Sequence, residues 1–70
     1  SIERLRTLAP IVEREIARIS TRIDFVLDRA AAIDPFECSP EVLAHRGQLL
    51  SLAEAQSAQV QTLLMRLMSV

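Results

Sequence analysis

An all-α fold, an antiparallel helical hairpin, is predicted by three features of this sequence. Apolar residues recur at alternating three- and four-residue steps through the first half of the chain. Asp34-Pro35 and Ser39-Pro40 then bracket a short polar interval. A long stretch follows with no proline and the chain's single glycine. Seventy residues make one small domain, residues 1–70.

Helix 1, about residues 2–33, carries the clearest pattern. Ile2, Leu5, Ala9, Val12, Ile16, Ile19, Ile23, Val26, Ala30 and Ile33 form an unbroken heptad series. That period predicts a left-handed seam against another helix. Ile16, Ile19 and Ile23 are stiff β-branched side chains, suited to a specific interface. Arg6, Glu13, Glu15, Arg22 and Arg29 flank the seam with mixed signs, each exposed pair contributing about 0.5 kcal/mol. Pro10 removes a backbone bond inside this run. Either Thr7 or Ala9 caps a new helix with Pro10 in its first turn, or one helix bends there. The heptad phase crosses Pro10 without a slip, which favours continuity with a local bend.

The turn is expected at residues 34–39. The residue before a proline is pushed out of the α region, so Asp34-Pro35 stops helix 1. Ser39 is the N-cap of helix 2 and Pro40 its first helical residue. Glu41 there complements the helix dipole. So short a join makes the two helices antiparallel.

Helix 2, about residues 40–68, has its best seam at Val42, Leu49, Ala53, Gln56, Val60, Leu63 and Leu67, widened by Leu50, Ser57 and Leu64. Gln56 either fixes the register of the seam or marks a solvent-facing edge. After Arg46 the only charges are Glu54 and Arg66, and the end from Leu63 to Val70 is apolar on nearly every face. One partner helix cannot cover that, so a second interface is expected. Gly47 inside a helix costs roughly 1 kcal/mol relative to Ala, which points to a packing reason. Two hairpins packing into a four-helix bundle would place Ile16, Ile19, Ile23, Val26, Leu49, Val60, Leu63, Leu64, Leu67 and Met68 in its core or interface. Phe36 is expected to fold back as a plug over the hairpin end. Phe25 is expected to widen the core with Leu27; if exposed, it would instead anchor a partner.

Composition narrows the function classes. A lone cysteine, Cys38, excludes an internal disulfide, and a hairpin this small needs a partner or staple for stability. A net charge of −1 does not favour nucleic acid. Arg14, Arg18 and Arg22 form a row of the kind that contacts RNA in small hairpin dimers resembling Rop. Acidic neighbours dilute it, and no aromatic residue is placed to stack on bases. Cys38 and His45 are the only soft metal ligands, enough for zinc only across a dimer, so no metal or cofactor is expected. Asp34, Ser39 and His45 supply the residue types of a catalytic triad, but Ser39 is better explained as a cap, and no enzyme is expected. Asp24 and Asp28, one turn apart, read as a solvated face. No segment spans a membrane and no signal peptide is visible. The chain begins with Ser rather than Met, so the natural protein is expected to extend before residue 1. A lone thiol fits a reducing, cytoplasmic setting. The arginine-only, alanine-rich composition fits a GC-rich bacterial genome. The expected role is a protein–protein interaction module, as a homodimer or with a heterologous helical protein.

One resemblance bears on that role. Asp34-Pro35, Ser39-Pro40, Leu49-Leu50, Gln56-Ser57 and the apolar end Val60 to Val70 resemble the small helical hairpins of type III secretion: needle and inner-rod subunits and needle co-chaperones. The likeness covers roughly half the chain and lacks the aromatic residues of needle subunits. It implies a secretion subunit or a small chaperone holding a helical client.

Overall fold

The computed structural model describes residues 1–70 as two helices, α1 (Ile2–Ala31) and α2 (Pro40–Met68), packed against each other. No strand is present, and no helix is long and apolar enough to cross a membrane. The Cα atoms fill a rod of 54 × 16 × 12 Å, two helices wide and one deep.

Ser1 starts α1, its side-chain oxygen accepting from the Arg4 N–H at 3.2 Å. The helix then runs through Pro10 without a break. Neither Thr7 nor Ala9 opens a new one. Thr7 instead donates its hydroxyl to the Glu3 carbonyl at 3.1 Å. Pro10 is exposed, so the Arg6 carbonyl that loses its donor can face water. Pro10→Ala restores that bond, and part of the gain is offset by a freer unfolded chain. A net stabilisation of about 1–2 kcal/mol is expected, read as a higher urea midpoint at an unchanged slope.

The first helix ends two residues short of Ile33. The Ile33 N–H bonds the Ala30 carbonyl at 3.1 Å, a tightened three-residue turn. Asp34 Oδ1 accepts from the Phe36 N–H at 2.9 Å. This Asx turn competes with helical continuation just where Pro35 forbids it. Pro35 and Cys38 are half-buried in the turn, while Phe36 between them points outward and is 93% exposed. Phe36 is therefore not a plug. The tight turn fixes its direction, and a rod one helix deep offers nothing to fold back over. Ser39 opens α2 from an extended backbone (φ −68°, ψ 158°), its hydroxyl accepting from the Val42 N–H at 3.2 Å.

The core is a thin seam. Only Ile19, Val26, Ala30 and Ala53 are buried, and two of these are alanines, which bring the backbones close. Ile16, Ile23, Leu49, Gln56, Val60, Leu63 and Leu67 are half-buried beside them. Leu64 and Met68 are exposed in the single hairpin, as are Val42 at the turn end and Ile2 and Leu5 at the open end. Arg46 occupies the α2 seam position between Val42 and Leu49, and sequence reading passed over it. Its Nε and the Gln56 Oε1 are shielded from solvent with no hydrogen-bond partner in the chain. Phe25 does not widen the core. It is 61% exposed, and the Arg29 guanidinium lies 5.5 Å from its ring centre, a cation–π contact. The heptad phase explains this, because Phe25 falls outside both seam positions.

Candidate interaction surfaces

A hairpin one layer deep presents two broad sides. Helical periodicity divides the residues between them, and the two sides differ in chemistry.

The first side carries a leucine row. Leu43, Leu50 and Leu64 fall on one seven-residue repeat of α2, with Ser57 at the remaining position, and all are exposed. Gly47 lies on the same side, and a Cβ built there meets nothing within 4 Å. Nothing inside the hairpin therefore requires a glycine at this position. On α1 the matching repeat is Glu13, Ser20 and Leu27, with Asp24 next to it. Glu54 is the one α2 carboxylate here. The side is apolar and acidic.

The second side is a trough. Three concavities line up along it, from the open end to the turn. The first is bounded by Arg4, Arg66 and Val70, the second by Glu15, Arg18, Ile19, Gln59 and Leu63, and the third by Arg29, Ile33, His45 and Leu49. Four of the eight arginines line the trough, against one of the nine carboxylates, so it is basic on a chain of net charge −1. Its one acid is neutralised in place. The Arg18 guanidinium grips the Glu15 carboxylate through two nitrogens, the Nε bond being 3.1 Å. That hydrogen bond, with the charge of Arg18, holds the Glu15 carboxyl below the usual carboxylate range.

A group with a depressed folded pKa stabilises the fold above its unfolded pKa and loses that contribution as pH falls through the folded one. The Glu15–Arg18 pair is accordingly expected to hold at neutral pH and to break only below the usual glutamate range. Carboxyl-carbon NMR should give Glu15 a midpoint below the usual glutamate range. Arg18→Ala should raise the Glu15 midpoint. A Glu15 midpoint unchanged by Arg18→Ala would show that the pair does not persist in solution.

The residues with metal or triad chemistry lie apart from both surfaces, apart from His45, which lines the turn end of the trough. Cys38 is free and half-buried in the turn. No three His, Cys, Asp or Glu side chains converge as a metal cluster. Ser39 is engaged as the α2 cap and Asp34 in the Asx turn. Arg14, Arg18 and Arg22 are all exposed on α1, and of the three only Arg18 lines the trough. Arg4 and Arg66 reach the trough from opposite ends of the chain. Sequence reading missed them because only the pairing of α1 with α2 brings them together.

The fold and its surfaces define a class, an all-α two-helix hairpin whose broad sides are both open. No protein family, curated protein or solved structure matches the chain.

Proposed function

We propose that this chain is a non-enzymatic self-association module, two copies of which pack their hairpins into a four-helix bundle. The observation that carries this reading is the exposed leucine row of α2, Leu43, Leu50 and Leu64, running into Met68. Its size supports the reading. The chain exposes 5508 Å². A compact protein of its mass exposes about 4,400 Å², so the excess, about 1,100 Å², is more than the roughly 800 Å² that one partner gives to a standard interface. The radius of gyration, 16.3 Å, likewise exceeds the ~11 Å of a compact chain of this length. A four-helix bundle would thicken the rod and cover the row. Sedimentation equilibrium should give a mass that rises with concentration above the 7.8 kDa of one chain. The melting temperature should rise with it, since association draws on the folded form alone. A single-chain mass up to millimolar concentration overturns the reading.

A second reading, a type III secretion subunit or small chaperone that holds a helical client, draws on Met65 and Met68. Met68 is 85% exposed, and flexible thioether side chains suit adaptable surfaces. It predicts a chain that stays monomeric alone and gains helicity when an amphipathic helical peptide is added.

A further inference from the structure

We infer that the self-association is head-to-tail: the apolar, acidic side of one copy docks into the basic trough of the next. This rests on the self-association reading above and specifies which faces meet.

The argument starts from the asymmetry of the hairpin. Were the leucine row to meet itself across a two-fold axis, it would bring together two faces that each carry Glu13, Asp24 and Glu54 against one exposed cation, Arg6. Like charges brought together oppose such a pairing. The trough would remain open. The opposite side offers the matching chemistry. Arg29 and Arg66 rim the trough, beside the neutralised Glu15–Arg18 pair, over a floor that includes Leu49 and Leu63. Leu52 and Phe25 are exposed on the helix faces beside it and supply apolar contacts. Leucines flanked by carboxylates fit a floor flanked by arginines, and arginine pairs carboxylates through two parallel bonds. The second copy of this chain therefore carries a surface of the right chemistry for the trough. Gly47 and Ser57 on the leucine side allow the two backbones to come close, and nothing inside the hairpin occupies the space beside Gly47. A heterologous pair leaves one trough and one leucine face free, so growth does not close at two copies unless the rotation makes a ring.

Two variants test this by complementation. Leu50→Asp with Leu64→Asp removes the leucine face and keeps the trough. Arg29→Glu with Arg66→Glu reverses the trough and keeps the leucine face. All four positions are exposed, and circular dichroism checks that both variants remain helical. Each variant alone is expected to sediment as a monomer. Mixed in equal amounts they should form a one-to-one heterodimer, which stops there because each brings one working face. Association of the unaltered protein should weaken about tenfold or more as salt rises from low to high ionic strength.

If the trough variant dimerises alone and ignores the other, the pairing is two-fold through the leucine face. That outcome overturns the head-to-tail inference and leaves self-association standing. If the unaltered protein is monomeric throughout, both fall. Association that salt strengthens would also overturn the inference, since it would identify a purely apolar interface.

Discussion

Replacing Leu50 and Leu64 together by Asp is expected to leave a helical hairpin that no longer associates. Both leucines are exposed in the single chain, so the change creates no cavity in the α1–α2 seam. Its cost falls on the interface. Each leucine buried from water contributes about 1.5 kcal/mol or more, and each aspartate adds the penalty of desolvating a carboxylate. For one leucine face, the two losses alone weaken association by on the order of a hundredfold or more. Analytical ultracentrifugation should show the mass fall to that of one chain while far-ultraviolet circular dichroism keeps its helical shape. Leu63→Asp would be a poorer probe, because Leu63 is half-buried in the seam and its loss would confuse unfolding with dissociation. A double variant that still associates like the original would show that the leucine row is not the interface.

The same distinction explains how much of this protein is legible in its sequence. The helices and the turn follow from local chemistry. Ser39 and Pro40 set the start of α2, Asp34-Pro35 stops α1, and the heptad phase carries α1 across Pro10. The buried set also follows the pattern, because Ile19, Val26, Ala30 and Ala53 all sit on seam positions. The misplaced residues depend on depth. Phe25 and Phe36 read as core material because aromatics usually are, yet a single layer of two helices has no second wall to receive them. The trough was hidden for another reason. Arg4, Arg18, Arg29, Arg66 and His45 are scattered through the chain, and only the antiparallel register puts them on one side. A helical wheel drawn for each helix alone shows a mixed surface. Joined in register, the wheels show one basic and one acidic side.

Ile19→Ala is expected to be the most damaging single substitution in the fold itself. Ile19 is the least exposed of the large side chains, at 5%, and it lies midway along the seam. Truncation removes buried methylene groups and leaves a cavity that a rod with so few buried neighbours fills poorly, a loss of about 2–4 kcal/mol. A core of this size rarely supplies more than about 3–5 kcal/mol, so that loss consumes most of the stability of one hairpin. At low concentration the variant should therefore lose much of its helical circular dichroism at room temperature. Raising the concentration should restore part of it, because association stabilises the folded form. Ile11→Ala serves as the control. It deletes the same atoms on the same helix at a position that is 54% exposed, and surface changes of this kind stay within about 0.5 kcal/mol. The difference between the two measures what the seam contributes inside the chain, apart from anything a second copy adds. Equal losses from both would mean that the face holding Ile11 is also covered, and that the apolar surface satisfied by assembly extends beyond the leucine row.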